Sequence, residues 1–306
     1  MEIVCEHLAG DPQREDVVWT YLTPPQIVHE LARVGTPVCA DTVRNLLDEF
    51  GLHRRQAEKT KTKEEVLHRN EQFENIARLK QQYLDSANPI ISMDSKKKEF
   101  IGKLFRGGRA YASGPNVVFD HDYPSWAAGK FIPHGLYDLK RNVGHITLGF
   151  SHDTSQFACD SFRLWWQRHG ARAYPRATSI LLLCDGGGSN NCRHHIFKQD
   201  LQRLVNTLGV SIRVAHYPPY CSKYNPIEHR LFPHVTRAWS GLIFRTLEIV
   251  RQGLRRVSTS TGLKLTYATL DKVYALQRTV RQSFLDACPI QFAPLLPAWN
   301  YIIEPQ

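Results

Sequence analysis

Apolar positions recur at helical spacing early in the chain: Ile27, Leu31 and Val34, then Val43, Leu46, Leu47 and Phe50. Thr23 followed by Pro24 and Pro25 supplies a cap and a first turn for the earlier stretch. Gly35-Thr36-Pro37 ends it. Asp41 and Thr42 cap the later stretch, and Gly51 stops it. Two short amphipathic helices joined by a tight turn outline a helix-turn-helix, although a plain helical hairpin carries the same pattern. The next run, HRRQAEKTKTKEE (53–65), has no apolar period and reads as a basic, polar linker. Residues 65–87 then read as one long polar helix with Phe73, Ile76, Leu79 and Tyr83 on one face. The pattern divides the chain into a helical region at 1–62, a linker helix at 63–88 and a larger region at 89–306, with a boundary near residue 88.

Beyond Pro89 the periodicity alternates between strand and helix. A short apolar run at 90–93 ends in Asp94, and Arg106-Gly107-Gly108-Arg109 reads as a hairpin-like turn. Residues 145–150 form a β run that ends near His152 and Asp153. Residues 160–169 read as a helix stopped by Gly170. Its adjacent Trp165 and Trp166 cannot share one helical face, so at least one belongs to the core. The run at 180–184 is the central strand. Residues 195–208 follow as a helix with Gly209 as its C-cap, then 210–215 as a strand. The helix at 227–239 should kink or restart at Pro233. Strands first, then alternating helices and strands, predict an α/β fold: a mixed sheet with helices on its faces.

Composition narrows the partner more than the fold. The chain has 306 residues, 42% of them hydrophobic and 22% charged, enough for one or two globular domains. Its net charge of +10 favours a polyanion, with nucleic acid first, although charge alone does not separate this from an ordinary basic protein. The cysteines at 5, 39, 159, 184, 192, 221 and 288 are odd in number and form no CxxC pair. Neither a disulfide framework nor a zinc ribbon is expected, and a reducing cytosol fits. No apolar run approaches the roughly 20 residues that span a bilayer, and the first residues carry no signal-peptide pattern. The abrupt start leaves room for an upstream segment.

Candidate chemistry lies in three acids. Asp94 ends a strand in ISMDSKKKE, Asp185 ends the central strand in SILLLCDGGGSN (179–190), and Glu228 opens a helix in YPPYCSKYNPIEHR (217–230). Ligands bind off the carboxyl ends of parallel strands. Two strand-end acids and one helix acid there could hold hard divalent cations for phosphate chemistry. The three glycines at 186–188 would let a phosphodiester approach closely, and Asn190 could donate to it. Each acid also has a plainer reading: an Asp-Gly turn, a surface pair beside Lys96–Lys98, a carboxylate favoured by a helix dipole. No phosphate-binding GxxxxGK[ST] loop is present. Asp153 is a weaker candidate ligand. His216, His229 and His234 are weaker candidates for touching phosphate or tuning Glu228, and Lys223 for touching phosphate.

These motifs carry a resemblance. ISMDSKKKEFIGK, IPHGLYDLKRNVGHITLGFSHDTSQFA, WWQRHG, LLLCDGGGSN, HYPPYCSKYNPIEHRLF and the terminal WNYII resemble the Rhodopirellula-type insertion-sequence DDE transposases, from about residue 10 to the C-terminus. The resemblance implies an RNase H-like core at 89–306 and a helix-turn-helix-like DNA-binding region at 1–62. It implies Asp94, Asp185 and Glu228 as the catalytic and metal-binding triad, with two Mg²⁺ ions for which Mn²⁺ could substitute. The partners implied are element ends and target DNA, with a homo-oligomer assembled on them in the bacterial cytoplasm at the nucleoid, away from membranes. Arg44, Arg54, Arg55, Lys59, Lys61, Lys63, Asn190 and Lys223 are the expected DNA contacts. No covalent protein–DNA intermediate is expected, because the motifs supply metal ligands rather than an activated nucleophile. Family members usually carry a longer N-terminal region, so a truncated copy is an expectation. They also usually read PPGTSKWN where this chain has PPYCSKYN, with Tyr220 and Cys221 in place of Gly-Thr. Two other readings stay open here: a catalytically impaired DNA-binding remnant, and a non-transposing RNase H-like nuclease.

Overall fold

The computed structural model describes residues 3, 8–11, 14–20, 22–55, 66–187, 194–287 and 289–306. The chain forms two compact units, Met1–Lys63 and Glu64–Gln306.

The first unit begins with an antiparallel hairpin of β1 (Leu8–Asp11) and β2 (Arg14–Thr20), which the helical pattern of this region did not foreshadow. The two expected helices follow as α1 (Pro24–Arg33) and α2 (Ala40–Glu49). Gln26 turns its side chain back to accept a hydrogen bond from the Thr23 N–H at 2.8 Å, securing the start of α1. The cap of α2 is Cys39 rather than Asp41 or Thr42: its sulfur accepts from the Thr42 N–H at 3.5 Å. Ile27 and Val43 form the buried centre, with Val28, Leu31, Val38, Leu47 and Leu52 packed around them. Val34, Leu46 and Phe50 lie outside this core and are exposed.

In the second unit α3 (Arg69–Leu84) does not link domains. Its Ile76, Leu79 and Tyr83 pack on the sheet against Ile90, Leu181, Leu183 and Ala215, so the boundary lies ahead of it rather than near residue 88.

The sheet centres on β3 (Ile90–Ser95). It pairs antiparallel with β5 (Gly129–Asp138), which pairs antiparallel with β6 (Val143–Gly149). On its other side β3 runs parallel to β7 (Ser179–Cys184), which runs parallel to β8 (Ser211–His216). The order β8-β7-β3-β5-β6 is the RNase H-like core that the resemblance implies. Further strands extend this sheet: β4 (Glu99–Ile101) beside β5, β9 (Lys264–Leu270) beside β6, and β10 (Ile290–Phe292) with β11 (Asn300–Ile303) beyond β8, giving it nine strands among the described residues.

Side chains of a strand alternate between faces. One face, with Ile91, Met93, Leu136, Leu182 and Val214, is covered by α4 (Ser155–Trp165) and α5 (His195–Leu208). The other meets α3 and, further along, α6 (Pro226–Arg230), α7 (Phe232–Trp239) and α8 (Leu247–Arg255). The restart expected at Pro233 is present: the chain breaks at Leu231 (φ −126°) and resumes with Pro233 in the first turn of α7.

Two glycine-rich signals resolve differently from expectation. Gly170 does not stop α4: a π turn at Trp166–Gly170 carries the helix on to Ala173. Both tryptophans are buried, and a Cβ on Gly170 would lie 2.5 Å from the Trp166 ring, so the residue serves close packing. The Arg106–Arg109 segment joins no hairpin. The Gly107 carbonyl accepts from the Gly241 N–H at 3.0 Å, tying this segment to the end of α7.

Gly135 decides how deeply the α6–α7 corner seats. It faces Asp94 across the β3–β5 ladder, and a Cβ there would meet the Phe232 ring at 2.6 Å and Ile227 at 2.7 Å. Both neighbours are buried, so neither can swing away cheaply. Gly135→Ala should lower unfolding free energy in urea by about 1–3 kcal/mol, whereas Gly114→Ala, where a Cβ meets nothing within 4 Å, should change it little. Equal effects of the two would mean that the corner does not rest on β5.

Candidate active site

The three acids predicted from the pattern come together at one end of the sheet. Asp94 is near the end of β3, and Asp185 directly follows the adjacent parallel strand β7. Glu228 stands in the single turn of α6. Asp94 and Ser92 share the face of β3 that points toward α6.

A small polar latch brings α6 to this face. Asn225 occupies the N-cap position of α6, but its side chain does not cap the helix. Its Oδ1 accepts a hydrogen bond from the Ser92 hydroxyl, and its Nδ2 donates to the Met93 carbonyl at 3.2 Å. The Ile227 N–H donates to the Ser92 oxygen at 3.0 Å, and the Glu228 N–H to the Asn225 carbonyl at 2.9 Å. Ser92 and Asn225 are both fully buried, which strengthens these bonds and makes their loss costly.

The turn that departs from the family pattern still makes this connection. Tyr220 takes a positive φ of 61°, a conformation that favours glycine. The backbone closes nonetheless: Cys221 N–H bonds Pro218 O at 3.1 Å, and Tyr224 N–H bonds Cys221 O at 2.9 Å. Cys221 is buried, and Tyr220 is exposed.

Asp185 is held through its backbone. The His216 ring is fully buried, and its Nδ1 lies 2.9 Å from the Asp185 carbonyl oxygen, while Nε2 lies 3.0 Å from the Tyr301 hydroxyl. Nδ1 therefore carries the proton and donates, and the tyrosine donates to Nε2. Burial pushes the His216 pKa down to about 4, so the ring is neutral. It anchors the loop and does not reach phosphate. His229 is exposed, and the buried Nδ1 of His234 has no hydrogen-bond partner.

Electrostatics register the crowding. Asp94 is pushed up to about 8, first by burial, then by the Asp185 charge and by a hydrogen bond with Glu228. Asp185 rises to about 6, mainly through burial, with the charges of Glu228 and Asp153 adding and a bond from the Gly187 backbone opposing. Asp153 accepts from the Ser95 hydroxyl at 2.9 Å, so a fourth acid stands at the rim. Like charges held this close cannot all ionise cheaply. Burial and the neighbouring acids therefore favour the protonated form of Asp94.

Among the described residues no three His, Cys, Asp or Glu side chains stand close enough together to hold a metal ion as placed. The donor set nonetheless suits a hard cation: oxygen ligands only, crowded acids, and an Asp94 proton that a cation would displace.

Among the described residues, Lys223 is the one expected DNA contact in the second unit. Arg44 pairs with Asp41 one turn away on α2, and Arg54 and Arg55 are exposed in the first unit. Lys223 is exposed just before α6, with its Nζ 5.2 Å from the Tyr224 ring. Lys59, Lys61, Lys63 and Asn190 lie outside the described residues. Sequence reasoning passed over Ser92, Asn225 and Tyr301. Only the Asn-Pro step before a helix signalled one of them.

The family model described as "Rhodopirellula transposase DDE domain" matches residues 1–305. Among solved structures, the chain is similar to the mariner Mos1 paired-end complex with Mg (17% identity, TM-score 0.49). It is also similar to the Mos1 strand transfer complex (18% identity, TM-score 0.47). It is covered over 76% in both comparisons and spans 65% and 64% of the length of those chains. No curated protein matches.

The raised carboxyls predict a pH signature. Asp94 holds protons in the folded state that the unfolded chain has released, so stability falls as pH rises toward and through about 8. The buried histidines His134, His145 and His216, lowered to about 3, 3 and 4, act oppositely, but only below their ordinary value of 6.5. In chelator, melting temperature should therefore decline between about pH 6.5 and 8.5, and Asp94→Asn should flatten that decline. An unchanged slope in the variant would refute the placement of the raised carboxyl.

Proposed function

The chain belongs to the Rhodopirellula transposase DDE-domain family, and on that premise we propose that it is a DNA transposase acting by metal-dependent strand cleavage and strand transfer. The observation that carries the reading is the meeting of Asp94, Asp185 and Glu228 at the carboxyl end of two parallel strands, with Asp94 hydrogen-bonded to Glu228. Asp94 and Asp185 would hold one Mg²⁺ between them, and Glu228 would complete a second site with Asp94. When bound, such ions activate a water or a 3′-hydroxyl and neutralise charge on the phosphate.

The chain's own part is positional. The parallel pairing of β3 with β7 fixes the two aspartates, and the Ser92–Asn225 latch fixes the glutamate. Substrate would be DNA at the element's ends and then target DNA, bound with the help of the cation-rich run 54–63 that ends the first unit. The two helices of that unit support a helix-turn-helix role, with Arg44, Arg54 and Arg55 reaching phosphate or bases. Assembly as a homo-oligomer on paired ends and a place at the nucleoid belong to the same reading. Among the described residues no helix is long and apolar enough to cross a membrane.

The reading is tested by incubating the purified chain with labelled duplex carrying its element's end. Cleavage is expected with Mg²⁺ or Mn²⁺, and loss to background with chelator or in Asp94→Asn, Asp185→Asn and Glu228→Gln, each variant still shifting the DNA in a gel. Cleavage by Asp185→Asn at the wild-type rate would overturn it. Cutting of RNA–DNA hybrids with no preference for end sequences would replace it with the nuclease reading.

A further inference from the structure

A cleft of about 660 Å³ opens beside Glu228, within the ~300–1,000 Å³ range of ligand-sized sites. Ser95, Lys96 and Lys97 line one wall, from the turn after β3. Thr236 and Arg237 of α7 line the other, with Phe232 between them. Its three cations are not equivalent. Lys96 is committed: its Nζ lies 3.1 Å from Glu99, which also pairs with Arg106 at 2.7 Å. Lys97 and Arg237 are exposed and form no ion pair among the described residues, although a carboxylate, Glu228, lines the same cleft. Their charge is thus available to an anion that enters the cleft.

Both cations also ride on the elements that position the triad. Lys97 lies three residues beyond Asp94, and Arg237 nine beyond Glu228 on the helix that restarts after α6. Any anion they hold is thereby registered against the acids. A polyanion with regularly repeated charges can engage two such cations at once, and Phe232 adds an apolar surface to the lining.

We propose that this cleft is a phosphodiester-backbone subsite, in which Lys97 and Arg237 each hold a phosphate of the DNA strand that continues from the reacting position. The proposal rests on the transposase reading for its substrate class, but its test does not depend on catalysis. A fluorescein-labelled DNA duplex of arbitrary sequence is titrated with the full chain in chelator over a range of salt concentrations. Neutralising both residues, Lys97→Gln with Arg237→Gln, should reduce the slope of log affinity against log salt by about 1.8, at 0.9 per phosphate contact. The matched pair Arg172→Gln and Lys264→Gln, in a separate cleft reached from the other end of the sheet, should leave it unchanged.

Melting curves with Mn²⁺ separate a local effect from misfolding: the Lys97/Arg237 variant should keep the wild-type stabilisation. An unchanged slope, or an equal fall in the control pair, would overturn the subsite. A wild-type chain that cuts no DNA yet shows the expected slope change would sink the transposase reading and leave the subsite standing.

Discussion

Three carboxylates brought together in a half-buried corner repel one another, and the second unit is arranged around holding them there. Left to electrostatics, Glu228 would move into solvent with its short helix. It stays because α6 is fastened to β3 by a buried serine, an asparagine and backbone hydrogen bonds, and because Gly135 lets Ile227 and Phe232 settle onto β5. Burial and the residual repulsion appear as the raised Asp94 and Asp185 carboxyls. That repulsion is what a divalent cation would relieve, so the crowding of the acids favours such a ligand.

The sheet explains why the remaining two acids need less support. Parallel pairing of β3 with β7 sets their carboxyl ends side by side, and Asp94 and Asp185 follow from the strand register. Asp185 is then steadied by His216, whose buried neutral ring links its carbonyl to Tyr301 on β11. Thus the terminal strand, far from the acids in sequence, bears on their placement. The Tyr220-Cys221 departure matters less than it looks in sequence, because the turn closes through backbone bonds and Asn225 carries the docking.

Much of this was legible from residues alone where the signal is local. Asp94 and Asp185 could be found because an apolar run ending in an acid is visible in one short window. The helix at His195–Leu208 with Gly209 as its cap follows from one apolar stripe and one glycine. The illegible parts depend on long-range pairing. Ser92 and Asn225 are 133 residues apart, and neither has a local reason to be functional. Strand β5 went unassigned in the pattern: GKFIPHGLYD contains Pro133 and Gly135, both ordinarily poor in strands, and burial between β3 and β6 overrides propensity. Gly170 looked like a helix stop because glycine has two uses, and only the packed Trp166 ring shows which applies.

The central claim is that the three acids form one site that exchanges a proton for a divalent cation. Calorimetric titration with Mn²⁺ near neutral pH, repeated in buffers of different ionisation heat, counts the protons released on binding. The wild-type chain should bind Mn²⁺ with net proton release, and Asp94→Asn should lose the release together with most of the affinity. Binding without proton release, or undiminished in Asp94→Asn and Glu228→Gln, would contradict it.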